Sequence, residues 1–206
     1  CAYMAARRGH DVHVYDKRDV IGGTLNETKN APYGDDELCT CVEYQKVMCE
    51  QAGVNFHLGT EVTDDLIEEE MPDTVVLATG PVYSKIEAPG GDSDKIVNLL
   101  DVMSGKSEVE ETVVVYGNRK PGIGCALHLA KQGKKVTLVG KEKSAGFDVN
   151  PSFKWRYMIY MRQNGITVYS DCDIEEVTDD GVIVKAYDGV HWPVKCDTVV
   201  LSDRGT

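Results

Sequence analysis

Two segments constrain the fold of this 206-residue chain more than any total does. The first, HVYDKRDVIGG over residues 13–23, is a short apolar strand that ends in Asp16 and runs into Gly22 and Gly23. The second, TVVLATG over residues 74–80, is a β-branched run that closes in small residues. A strand ending in an acid matches the second strand of a βαβ nucleotide-binding unit, where the carboxylate accepts a hydrogen bond from a ribose hydroxyl. The continuous apolar run predicts a buried parallel strand at 75–78. Its small terminal residues, Ala78, Thr79 and Gly80, allow backbone to approach a ligand. The class expected is α/β and Rossmann-like, with parallel sheets covered by helices on both faces.

The rest of the chain repeats that grammar. Residues 2–8 read as a helix stopped by Gly9, 11–15 as a strand, and 36–51 as an amphipathic helix ending near Gly53. That helix places Leu38, Val42, Tyr44, Val47 and Met48 on its apolar side. Residues 54–58 are a strand and 60–62 a further short piece, with a linker at 86–91 and a segment at 96–103 that returns to the body. The unit then restarts with a strand at 112–116, a glycine turn at 117–122, a helix at 123–132 and a strand at 135–139. A helix at 153–164, a strand at 166–169, a hairpin at 181–187 and 190–194, and a closing strand at 198–201 follow. TVVL occurs twice, at Thr74 and Thr198, each time after an aspartate, which reads as an internal duplication. The expected divisions are a first nucleotide unit at 1–110, a second at 111–195, and a returning strand at 196–206. The chain opens at Cys1-Ala2-Tyr3, inside the first helix, so the strand and glycine loop expected ahead of that helix lie outside it.

Charge and cysteine usage narrow the function classes. Twenty-two basic against 34 acidic residues give −12, which argues against nucleic acid or an anionic membrane as partner. It leaves nucleotide binding open, since that uses local amides and helix ends. No apolar run of membrane-spanning length is present. The seven cysteines are irregularly spaced, and the closest pair, Cys39-Thr40-Cys41, suits neither a zinc site nor a redox dithiol. Reduced thiols and a cytoplasmic setting are the expectation. None of the five histidines has a partner at metal or catalytic spacing, so no catalytic residue and no metal ligand is assigned. The run Phe153-Lys154-Trp155-Arg156-Tyr157 reads as core with snorkelling cations.

Cofactor contacts are expected in the first unit from Asp16, Lys17, Gly22, Gly23, Thr24, Val62, Ala78, Thr79 and Gly80. In the second they are expected from Gly117 and Gly122. The second unit departs from the usual pattern. GNRKPG keeps the first and last glycines of G-x-G-x-x-G but carries Arg119 in the middle, and Pro121 removes an amide donor. Its second strand ends in Gly140 rather than an acid, followed by Lys141 and Lys143. Two readings stay open: the lysines hold the 2′-phosphate of NADPH, or nicotinamide binding is lost. On the pattern alone, a glycine at 119 with an acid at 140 would restore a site for NADH.

In order and spacing, DVHVYDKRDVIGGTLN, QAGVNFHLGTEVT, PDTVVLATG, APGGD and IVNLLDVMSGK resemble the C-terminal half of the 2,4-dienoyl-CoA reductase, enoate reductase and trimethylamine dehydrogenase family. The resemblance runs over nearly the whole chain. It implies a Rossmann-like two-dinucleotide-binding-domain fold, truncated at both ends here, with FAD or ADP in the first unit and NADPH or nothing in the second. It implies a parent whose TIM barrel carries FMN and a 4Fe-4S cluster and reduces an activated C=C bond, the isolated piece being inactive. A docking module holding ADP and a disulfide reductase lacking its Cys-x-x-Cys are the alternatives. The dinucleotide and the barrel are the expected partners, and homo-oligomerisation stays open.

Overall fold

The computed structural model describes residues 1–33, 35–80 and 85–202. The chain divides into two compact units, one of Cys1–Lys29 with Asp36–Gly80 and one of Asn30–Asp35 with Pro81–Thr206.

The first unit holds helix α1 (Ala2–Arg7), strand β1 (His13–Asp16), helix α2 (Thr40–Gln51), strand β2 (Asn55–Leu58) and helix α3 (Asp64–Glu70). β1 and β2 pair in parallel from His13 opposite Asn55 to Asp16 opposite Leu58. Two 3₁₀ segments, Gly23–Asn30 and Asp35–Cys39, occupy stretches read from sequence as loop and as helix start. Helix α3 escaped the sequence reading although its start signal is present. Thr63 accepts from the Leu66 amide at 3.3 Å, and Asp64 and Asp65 fill the first turn, where the helix dipole favours acids. Of the apolar face expected on α2, Val42 is buried and Leu38, Tyr44 and Val47 are exposed. The buried positions of that helix are Val42 and Cys49, two turns apart.

The strand expected at 75–78 does not form. Val76 and Leu77 are 63% and 83% exposed, and residues 74–80 join no sheet. A parallel strand draws its burial from strands on either side. Among the described residues β1 and β2 make a sheet of two, and the run at 74–80 pairs with neither. The piece at 60–62 is likewise not a strand.

The second unit is built on strand β3 (Ile96–Asn98), helix α4 (Leu99–Ser104), strand β4 (Thr112–Tyr116), helix α5 (Lys120–Lys131) and strand β5 (Lys135–Gly140). Helix α6 (Pro151–Gln163), strand β6 (Thr167–Ser170), the strands β7 (Cys172–Thr178), β8 (Gly181–Ala186) and β9 (His191–Lys195), and strand β10 (Thr198–Leu201) complete it. The main sheet runs β3-β10-β4-β5-β6 and every pair is parallel. Side-chain alternation divides its burial between two faces. Val113, Val115, Val136, Leu138 and Val200 pack with Ile123, Leu127 and Met161 of the helices. Val114, Tyr116, Val139, Val199 and Leu201 pack with Ile174, Val182 and Val184 of the antiparallel sheet β7-β8-β9. Each such aliphatic side chain contributes about 1.5–3 kcal/mol on burial. The hairpin and closing strand expected from sequence are present; β7, which widens the hairpin to three strands, was not expected. On α6 the reading of the run 153–157 as core holds at Tyr157 and fails at Phe153 and Trp155, which are 54% and 58% exposed. The helix turns Tyr157, Met158 and Met161 to the core instead.

Two expected outcomes follow from this packing. Burial pushes the Cys125 thiol up to about 12 and the Cys196 thiol up to about 11. Brief alkylation at pH 8 should therefore mark Cys1 and Cys41, which are exposed, and spare Cys125 and Cys196 until the chain is unfolded. Mass spectrometry of the peptides checks this. A side chain at Gly122 would strike the carbonyl oxygen of Gly117. Gly122→Ala should cost about 1–3 kcal/mol, read as a fall in Tm of several degrees in a chain of this size.

Candidate functional site

Because β4, β5 and β10 are parallel, their carboxyl ends meet on one edge of the main sheet, where ligands of open α/β sheets bind. There β4 passes through Gly117, at φ 119°, into α5. Asn118 is 1% exposed and ties three segments together. Its side-chain amide donates to the Glu142 carbonyl at 2.9 Å and to Ser170 Oγ at 3.3 Å, and its Oδ1 accepts from the Glu142 amide at 3.3 Å. Its backbone carbonyl accepts from the Gly146 amide at 2.8 Å. The loop that follows β5 is thereby folded over the glycine turn.

Arg119 stands at the N-cap of α5 in extended conformation, with no side-chain cap. Its guanidinium donates to Glu142 Oε1 through Nε at 2.8 Å and through Nη2 at 2.5 Å. The Lys120 amide, first in α5, donates to both oxygens of Asp148, at 2.9 and 3.2 Å. Pro121 has no amide hydrogen. Beside the turn, Tyr116 donates to Asp173 Oδ1 at 2.5 Å, and Lys141 lies 3.5 Å from Asp173 Oδ2 and 5.8 Å from the centre of the Tyr116 ring. Lys141 is thus engaged with Asp173, while Lys143 is exposed. Ser202, just past β10, is buried with its Oγ lacking a hydrogen-bond partner among the described residues.

The second-unit residues named from sequence, Gly117 and Gly122, are therefore together, and packing accounts for the need for Gly122. The restoring pattern is corrected at Gly140. A Cβ there would collide with the side chain and amide of Asn118, so no acid fits that strand end while Asn118 holds its place.

In the first unit Asp16 ends β1, half-buried, and its Oδ1 accepts from the Arg18 amide at 3.0 Å. Gly23, at φ 55°, has Arg18 as its near neighbour, 3.3 Å from an added Cβ. Gly22, at φ 113°, lies against Asn26 and Val42, each 2.7 Å from an added Cβ, so a packing demand accounts for it. Lys17 is exposed and Thr24 half-buried. Val62, Ala78, Thr79 and Gly80 are all exposed, Gly80 with open space around it.

Sequence reasoning missed Asn118, Glu142, Asp148, Asp173 and Ser202. A weak signal existed for two of them: Glu142 and Asp148 are acids in a loop after the second strand, where the neighbouring lysines drew attention. Gly140→Ala is expected to destabilise the fold by about 1–3 kcal/mol through displaced Asn118 hydrogen bonds. Gly140→Glu should do no better, and thermal unfolding of both variants is the check.

The chain was compared with known proteins. A family model, pyridine nucleotide-disulphide oxidoreductase, matches residues 1–203. The NADH oxidase of Thermoanaerobacter brockii is 29% identical over 205 residues, which cover 98% of this chain and 31% of the relative. The cinnamate reductase of Clostridium sporogenes is 26% identical over 204 residues, 98% of this chain and 30% of the relative. A structure of 2-naphthoyl-CoA reductase with 2-naphthoyl-CoA superimposes with a TM-score of 0.91 at 32% identity, covering 98% of this chain and 31% of that one. The chain thus spans under a third of these relatives' length. They bear out the resemblance to the FAD- and NAD-binding half of the enoate reductase and trimethylamine dehydrogenase family. In sequence and in Rossmann-like α/β fold, the chain belongs to the pyridine nucleotide-disulphide oxidoreductase family.

Proposed function

We propose that this chain is the dinucleotide-binding half of a larger flavoprotein, holding FAD or ADP in its first unit and NAD(P)H in its second. The bound cofactors supply the redox chemistry, carrying reducing equivalents toward an iron–sulfur and FMN barrel that reduces an activated C=C bond. The observation that supports this best is the Gly117–Gly122 turn feeding α5 at the carboxyl edge of an all-parallel sheet. In the first unit the residues present fit a nucleotide in one respect. Asp16 offers a strand-end carboxylate whose Oδ1 is engaged by its own loop, while Lys17 beside it is exposed. Disulfide chemistry is not supported: Cys39 and Cys41 are a single residue apart, and the Cys39 thiol donates to the Asp36 carbonyl.

In the second unit the fit is incomplete. The turn and helix have the right order, but Asp148 already holds the first amide of α5 and Arg119 is paired with Glu142. That observation favours a second reading, in which the unit is a structural module that covers the barrel and takes no nicotinamide cofactor.

The spectrum of the purified full-length protein tests the first reading. Flavin absorbance that bleaches on adding NADH or NADPH supports it; flavin absorbance indifferent to both supports the module. Asp16→Ala should weaken retention of the adenine nucleotide about tenfold to a hundredfold, the scale of one charge-assisted hydrogen bond. Unchanged cofactor content after dialysis would leave Asp16 as a loop carboxylate.

A further inference from the structure

We propose that the cleft between α6 and β6 is a second binding site, beside the glycine turn, for a small amphipathic anion: an apolar acyl or aryl body that carries one carboxylate. The proposal does not rest on the reading of the second unit as a nucleotide site.

The cleft comes from the way the main sheet ends. β6 is its last strand and is paired on one side only, by β5. Gly165, at φ 67°, turns the chain from α6 into β6, and the Ile166 amide donates to the Met161 carbonyl at 3.0 Å. Helix and strand are thereby joined at one end, and residues 143–145 of the loop after β5 border the space between them. That space has a volume of about 530 Å³, within the range of sites for small organic ligands. Met158, Met161, Ile166 and Val168 supply its apolar wall. Methionine adapts its unbranched chain to ligands of differing shape.

The polar groups of the cleft all suit an anion. Lys143 and Arg162 line it with Ser144 and Ser170, and no carboxylate does. In a chain of net charge −12 this is a local reversal of sign, and α6 itself carries Lys154, Arg156 and Arg162 with no acid. Other exposed lysines of the unit stand against carboxylates, Lys135 at Glu111, Lys141 at Asp173 and Lys185 at Glu175. Lys143 and Arg162 have neither an ion-pair nor a hydrogen-bond partner among the described residues. The hydroxyls are poised to donate. Ser170 Oγ accepts from the Ala145 amide at 3.2 Å and from the Asn118 side-chain amide at 3.3 Å, and Ser144 Oγ accepts from Lys154 at 2.6 Å. An inorganic anion would use the cations and leave the apolar wall bare, and a neutral apolar molecule would do the reverse. A carboxylate on a short apolar body uses both, through charge-assisted hydrogen bonds and through burial.

The test is calorimetric titration of octanoate, 1-octanol and acetate into the full-length protein, with the methyl resonances of labelled methionine followed in parallel. Octanoate is expected to bind saturably and to shift Met158, while octanol and acetate at equal concentration leave Met158 in place. In the double variant Lys143→Ala, Arg162→Ala, octanoate should bind about tenfold weaker or worse, and in the unmodified protein binding should weaken as salt rises. Met158→Gln keeps the size of the wall and removes its apolarity, so a matching loss there decides the matter should the double variant fold poorly. Octanol binding as tightly as octanoate, a Met158 resonance indifferent to octanoate, or undiminished affinity in both variants would overturn the proposal. So would displacement of octanoate by saturating NADPH or NADH, which would make the cleft part of the nucleotide site. Binding unaffected by either cofactor supports a separate site. Failure of NADH and NADPH to bleach the flavin would overturn the nicotinamide reading of this unit and leave the cleft standing.

Discussion

The second unit depends on one buried amide. Asn118 lies at the junction of a glycine turn, the end of β5 and the start of the loop beyond, and it leaves none of them independent. A buried amide is stable only with its donors and acceptors met, so the turn can hold its shape only if the loop closes on it. The same side chain fills the space beneath Gly140 and so dictates that the strand end be a glycine. Positions 118 and 140 are one choice rather than two. A change at either is expected to be read by the other, as contacting residues are seldom additive.

The tetrapeptide TVVL shows how far local sequence decides structure. At Thr198–Leu201 it is a central strand between β3 and β4, and its valines are wholly buried. At 74–77 the same four residues, also preceded by an aspartate, lie exposed and outside any sheet. Propensity and apolarity are identical in the two copies. What differs is that the second copy is paired on both sides, by β3 and β4, while the first is paired by neither β1 nor β2, and pairing is a property of topology rather than of the segment.

The legible parts of the chain are those whose signals are local. Gly9 and Gly133 stop helices through left-handed conformations, at φ 88° and 86°, and Asp16 and Leu201 end strands within a residue of where the pattern puts them. The order β4, turn, α5, β5 was visible because glycine spacing and apolar runs alternate there. The site was less legible. Gly117 and Gly122 stand out in sequence, but the residues that surround the turn, Asn118, Glu142 and Asp148, are polar and lie as far apart as 30 positions along the chain. Nothing in a one-dimensional pattern says that an acid in one loop sits on the first amide of a helix begun in another. The aromatic run on α6 misled for a related reason: hydrophobicity marks what could be buried, and helix phase chose Tyr157 and Met158 over Phe153 and Trp155.

The two units carry very different cores. Among the described residues, the first buries Val42, Cys49 and Val54, whereas the second fills both faces of a five-stranded sheet. A unit with so little apolar burial sits near the low end of the local stability scale. Anything that binds only its ordered form then shifts its folding equilibrium by mass action. A nucleotide gripped at Asp16 would be a structural member as well as a cofactor, and the melting of that half of the chain would track nucleotide concentration while the other half would not.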